Sequence, residues 1–317
     1  MSSALWAVNG IVTASAVAVF STYFPFWSDP TLGDVSPIIY QRASYQYQPD
    51  SLFDNTPLTY ITDYMLAGVM GAWVLSVGVS SNNHQMTKSD PRLDIHFRQK
   101  LLQQHIFRSR GLLLTYLVSV TAGGLAHHYF TTVESRNTLL FRLLWTICVG
   151  TVTAASGWMG SIGTVWAKLD QQNRCATIPV IPEVFWIAFA IVTTLIVALG
   201  GWSYQRPACD TFVAGITQFP STFYVMALIW KGLPLLPLST NYRCRGAFAW
   251  ILNAPLLPLY PLLISTGLQV GQINAILHAC LCIAWSSQGS VLRRVAQAMA
   301  VEASPPPRSL PVKRKAF

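Results

Sequence analysis

Charge is what this chain has least of: Asp, Glu, Lys and Arg make up 10% of its 317 residues, against 52% hydrophobic residues. A soluble domain carries about 25% charged residues, and its surface cannot be covered without them. The shortage excludes an ordinary water-soluble globule. Cysteine is sparse and unpatterned: Cys148, Cys175, Cys209, Cys244, Cys280 and Cys282 form no CxxC pair and no finger spacing, which excludes zinc ribbons and thioredoxin-type motifs. Those inside apolar runs read as small buried hydrophobes. A positive n-region is also missing ahead of the first apolar run, so that run reads as a retained helix despite its Ala-Ser-Ala stretch. No internal repeat is visible. The net charge of +9 does not indicate nucleic acid, because the basic residues sit in the gaps between apolar runs.

Those runs are what the chain does have. Stretches long enough to cross about 30 Å of hydrocarbon, at about 20 residues each, occur near 5–23, 59–79, 111–130, 138–158, 183–203, 212–232, 246–268 and 271–288. The last is the weakest, since it contains Asn274 and His278. Backbone groups in lipid must be satisfied internally, so the spans are helices. The expected fold is an all-α polytopic membrane bundle of about eight transmembrane helices, forming one domain over 1–303. Orientation follows from Lys and Arg in the connections. Six lie in 80–110, two in 168–182, three in 231–245 and six from 289 onward, whereas the opposite side holds Arg42, Arg136 and Arg206. The first set is therefore expected in the cytosol, with both termini.

The connection 24–58 becomes a long lumenal loop, carrying Asp29, Asp34, Asp50 and Asp54 among Pro and Tyr. Loops of that length serve as lids or as plain caps. Leu93, Phe97 and Leu101 recur at helical spacing among Arg98, Lys100 and Gln103, the pattern of a short amphipathic helix on the membrane surface. The tail 304–317 (SPPPRSLPVKRKAF) is Pro-rich and basic, hence disordered. Its end resembles the K-x-K-x-x dilysine signal, which implies coat-protein recognition and an endoplasmic-reticulum membrane location.

Ionisable groups inside spans cost about 2.5–3.5 kcal/mol each at mid-membrane and are functional suspects. They are Asp63, His127, His128, Arg142 and His278, with Gln218 and Asn274 as uncharged companions. Counted along each helix at about 1.5 Å per residue, all fall towards the lumenal face. Asn274 and His278 share a face, four residues apart. The cytosolic half holds little comparable beyond Asn253. A lumen-facing polar pocket with apolar walls accounts for this layer, and such a pocket is the default site for a lipophilic small molecule.

Two chemistries could use it. In one, burial keeps Asp63 protonated as a general acid, aromatic faces stabilise a carbocation, and His127 or His278 takes the final proton. Tyr64 and Trp145 belong to the wall, with Tyr60, Tyr129, Phe130 and Phe219, while His128, Arg142, Gln218 and Asn274 bind substrate. That needs no cofactor and no metal. In the other, the histidines and Asp63 hold a zinc ion that activates water.

Each chemistry has a family behind it. The whole-chain architecture resembles the small multi-spanning terpene cyclases of fungal meroterpenoid pathways. The resemblance implies a lyase or isomerase acting on epoxidised, prenylated substrates in the endoplasmic reticulum. Residues 121–130 (TAGGLAHHYF) and 271–282 (GQINAILHACLC) are similar to stretches of the ceramidase and adiponectin-receptor superfamily. There the implication is a zinc-dependent amide hydrolase. Where that family has two histidines in its last helix, this chain has Asn274 and His278, or His278 and Cys282. A transporter or receptor remains a third class, since intramembrane Asp and His also serve proton relays.

Overall fold

A computed structural model describes residues 7, 9–11, 13–14, 55–78, 95–136, 138–171, 178–204, 215–231, 240–253, 256, 259, 263 and 266–302. Their regular structure is all α-helical: α1 (Pro57–Ser76), α2 (Ile95–Tyr129), α3 (Val133–Arg136), α4 (Leu139–Gln171), α5 (Glu183–Tyr204), α6 (Phe219–Trp230), α7 (Thr240–Ile251) and α8 (Val270–Glu302). Local chemistry sets several of the boundaries. Pro57 opens α1 at a position where its missing N–H costs nothing. Gly78, at φ +93°, closes it in the left-handed region, and Arg110 Nε donates to the Val77 carbonyl there at 3.1 Å.

Three helices among the described residues are long and apolar enough to cross a membrane: Pro57–Ser76, Leu139–Leu169 and Gly271–Ala300. The expectation of eight is therefore corrected to three, and the reasons are local. The run 111–130 lies within α2, whose polar start and whose Ser119, Gly123, Gly124, His127 and His128 dilute its apolarity. Helix α6 has 12 residues, or about 18 Å at 1.5 Å per residue. Helix α7 also has 12 residues and gives way to a turn at Leu252–Asn253, where the run 246–268 was expected to continue. Pro255 disfavours helix at the residue before it. The supposedly weakest run, 271–288, is part of a 33-residue helix. Of the first run, residues 7, 9–11 and 13–14 are helical. The rest of it, most of the loop 24–58 and the tail 304–317 lie outside the described residues.

The amphipathic surface helix expected at 93–101 is corrected too. From Ile95 onward it is the beginning of α2, where Arg98 and Leu101 are buried and Phe97 packs on the main core. Leu93 lies outside the described residues.

Side-chain pairings give the helix directions. Helices α1 and α2 are antiparallel, since a Cβ on Gly124 would meet Tyr64 while one on Gly71 would meet Leu117. Helix α4 returns beside α2, with Ser119 bonded to Cys148 near one end and Trp166 to His105 near the other. Helix α5 lies against the glycine face of α4, where the Trp186 ring occupies the space a Cβ on Gly160 would need. Helices α1 and α8 run parallel and in register. Thr56 meets Gly271, Asp63 meets His278 seven residues further along both chains, and Trp73 covers Gly289. The starts of α1, α4 and α8 and the end of α2 thus share one end of the bundle.

Two polar contacts, one partly buried and one buried, lock the opposite end. Glu183, in the first turn of α5, takes two hydrogen bonds from Arg108 of α2, at 2.8 and 2.5 Å, the bidentate geometry that makes such pairs strong. His105 is fully buried between α4 and α8. Its Nε2 lies 3.0 Å from the Leu292 carbonyl, which can only accept, so Nε2 carries the hydrogen. Nδ1 then accepts from Trp166 Nε1–H at 3.2 Å. Protonation would set N–H against N–H, so this histidine is a neutral pin between three helices. His105→Phe is expected to orphan both partners at about 1–3 kcal/mol each. A thermal-unfolding midpoint in detergent unchanged from the parent would contradict that role.

Candidate functional site

A polar residue in the second turn of an apolar helix needs a neighbouring helix close enough to cover it. For Asp63 that cover comes from α2 and α8. Gly124 lets α2 approach: a Cβ there would come within 2.9 Å of the Tyr64 ring and 3.0 Å of Asp63 Cβ. One residue before, a Cβ on Gly123 would lie 3.3 Å from Cys148 Sγ and 4.0 Å from Asp63 Oδ2. The glycine pair thus lets α1 approach and leaves open space beside the carboxyl. From α8, His278 Nε2 reaches Asp63 Oδ1 at 3.2 Å, while its Nδ1 lies 2.8 Å from Thr62 Oγ1. Asp63 is 4% exposed.

The space is a cavity of about 290 Å³, at the small end of the roughly 300–1,000 Å³ of small-molecule sites. Helix α1 contributes Asp63, and α2 contributes Ser119, Gly123 and His127. Trp145, Cys148, Val149 and Val152 come from α4, while Gln218, Phe219, Thr222 and Phe223 come from the α6 region. Trp250, Ile251 and Asn253 arrive from α7, and Leu277, His278, Leu281 and Trp285 from α8. Most of the wall is apolar or aromatic. Among the described residues, no Lys or Arg lines it.

The expected site residues separate into two groups. Asp63, His127, His278, Gln218 and Trp145 line the cavity. His127 is buried and edge-on to Trp145, with ring centroids 5.7 Å apart. Gln218 Nε2 donates to the Val152 carbonyl at 2.8 Å, which ties the start of α6 to α4. Tyr64, His128, Arg142 and Asn274 are not part of the lining. His128 instead stacks on Tyr60 at 4.2 Å and on Tyr129 at 4.4 Å, with Nδ1 3.2 Å from Tyr64 Oη. Consecutive residues on a helix point about 100° apart, so His127 faces in where His128 faces the outer aromatics.

Several lining residues escaped the sequence reading. Asn253, expected to sit apart at the other side, joins Asp63 in the same cavity because α7 delivers it from the opposite end. Trp285 lies two helical turns past His278 and so shares its face, a spacing visible in the sequence. It stacks flat on Tyr116 at 4.1 Å, whose hydroxyl donates to Gln288 Oε1 at 3.0 Å. Trp250 sits edge-on to Trp166. Ser119 and Cys148 are linked through the Cys148 carbonyl at 2.7 Å, and no pattern in the chain announces that pair.

Chemically, the site offers one carboxyl–imidazole pair, a second imidazole and a wide aromatic surface. A zinc centre needs three or four protein ligands. Among the described residues no group of three or more His, Cys, Asp or Glu side chains is placed to hold a metal ion. Comparison with known proteins finds no matching family model, no matching curated protein and no matching solved structure.

The packing at Gly124 separates from general helix effects by a paired substitution. Gly124→Ala is expected to overpack the Asp63–Tyr64 contact and lower stability by about 1–3 kcal/mol. Gly68→Ala, on α1 with nothing within 4 Å of its new Cβ, is expected to raise stability by about 0.5–1 kcal/mol. Unfolding midpoints of the two variants moving in the same direction would refute the close approach.

Proposed function

We propose that this chain is a multi-pass membrane terpene cyclase, isomerising an epoxidised, prenylated lipophilic substrate through a carbocation. One observation carries the reading: a buried carboxyl, in contact with an imidazole, on the wall of a largely aromatic cavity. Asp63 gives its proton to the epoxide oxygen, and the C–O bond breaks to leave a cation on carbon. Alkene π electrons close the ring. The rings of Trp145, Trp250, Trp285 and Phe219 offer the negative faces that attract a cation. His127 removes the final proton, which forms the product alkene. Substrate and product have the same mass, because the proton given equals the proton taken.

The cavity supports this reading over hydrolysis. A wall that is mostly apolar and aromatic disfavours the water that would quench a cation. The three apolar helices support a membrane setting. The excess of Lys and Arg in 80–110, 168–182, 231–245 and beyond 289 supports a cytosolic position for that side. Asp63 then lies towards the lumen, and the dilysine-like tail is the feature expected of an endoplasmic-reticulum resident.

Microsomes carrying the protein, supplied with epoxidised prenylated aromatics, are expected to yield an isomer of unchanged mass. Asp63→Asn is expected to remove the product, since general acid catalysis contributes about 10²–10⁴-fold to such steps. Asp63→Glu should retain part of the activity. Near-normal turnover by Asp63→Asn would remove Asp63 as the acid.

A further inference from the structure

The proton inventory of the Asp63–His278 pair depends on a neighbour that the chemistry above does not use. Thr62 Oγ1 has one hydrogen and three close acceptors or partners: the Leu58 carbonyl at 2.7 Å, the Thr59 carbonyl at 2.8 Å and His278 Nδ1 at 2.8 Å. The carbonyls can only accept, and a helical threonine ordinarily bonds back to the preceding turn. With its hydrogen given to that turn, Thr62 Oγ1 can only accept from His278. Nδ1 therefore carries a hydrogen.

The other ring nitrogen then faces Asp63 Oδ1 at 3.2 Å. Two lone-pair atoms at that distance repel unless a proton lies between them. The reverse arrangement, Thr62 donating to Nδ1 and Nε2–H donating to a carboxylate, leaves a net negative charge in the wall. Among the described residues no Lys or Arg lines the cavity, and net charge in a buried wall is disfavoured. The other titratable groups near the pair are few among the described residues. They are His127 from α2, Cys148 from α4 and Tyr60 and Tyr64 on α1; the α6 and α7 regions bring none to the cavity.

We infer that Thr62 is a positioning residue that holds a hydrogen on His278 Nδ1, so that Asp63 and His278 share one proton and the pair is neutral as a whole. This deepens the reading of Asp63 as the acid and rests on it for its catalytic meaning. The pair has one proton to give. Giving it to the epoxide oxygen leaves a carboxylate, which attracts the cation formed. His127 takes the proton lost from that cation, and its return to Asp63 restores the pair at the end of the cycle, so no external acid is consumed. The parallel register of α1 and α8 presents Thr62 and Asp63 together to one imidazole.

The test uses full-length protein in lipid nanodiscs with ¹⁵N-labelled histidine, at neutral pH. The chain has six histidines, and His278 is assigned by the signal missing from His278→Gln. His278 Nδ1 is expected to be protonated in the parent and in Thr62→Ser, whether or not the shared proton also rests on Nε2. Thr62→Val, of the same shape but without the acceptor, is expected to give a mixture of tautomers while the other histidine signals stay in place. A bare Nδ1 in the parent, or an unchanged Nδ1–H in Thr62→Val, overturns the assignment. Turnover forms a separate arm. Thr62→Val is expected to lower kcat about tenfold with KM little changed, the mark of a group acting mainly in the transition state, and Thr62→Ser to restore it. A parent that turns over no epoxide but shows the Nδ1–H overturns the cyclase reading and leaves the proton assignment standing. Equal kcat in Thr62→Val and parent overturns the positioning role.

Discussion

Asp63 sits where an apolar helix has no right to a carboxyl, and the neighbouring architecture follows from giving that group company. Charge cannot be left in a dry environment without a partner, so a second helix must bring one. Helix α8 does so with His278, and it runs parallel to α1 with Thr56 against Gly271 and Trp73 over Gly289. Parallel neighbours cannot be joined by a short turn, so the intervening helices have to travel out and back between them. The cavity is enclosed by that detour, with α2, α4, α6 and α7 supplying the other walls.

The two ends of the bundle divide the work. At the end away from Asp63, the Arg108–Glu183 pair and the His105 pin give polar groups fixed partners. Such networks rigidify a core. At the Asp63 end the polar groups surround open volume, and glycine at 123 keeps a side chain out of it. The difference is one of purpose as well as position. Fixed partners hold helices in register; groups around a void are available to a ligand.

What could be read in the chain was depth, and what could not was rotation. Asp63, His127, His278 and Gln218 stand out because each interrupts an apolar run, and counting residues from the helix ends places them in one layer. The same count cannot tell His127 from His128, since their depths are similar and only the packing of α1 and α4 decides which face turns inward. Trp250 and Asn253 were further out of reach. Their inclusion depends on α7 ending at Ile251 inside the bundle, at a break marked by Asn253 and Pro255 in a run that otherwise reads as continuous. Ser119 and Cys148 became visible only through the antiparallel register of α2 and α4.

Hydropathy also undercounted the helices that build the site, and the reason is the same. The apolarity a membrane demands is demanded only of the face that meets lipid. Helix α2 packs against α1, α4 and α8, so much of its surface meets other helices. It is therefore free to carry the glycines that admit α1, the serine bonded to α4 and the histidines at its end. Helices α1, α4 and α8 pass the test of apolarity because each keeps a broad outer face. Exposed Met65, Leu75, Leu143, Ile147 and Ile283 belong to those faces. The polar interruptions that weaken α2 as an apolar run are the residues that make it part of a site.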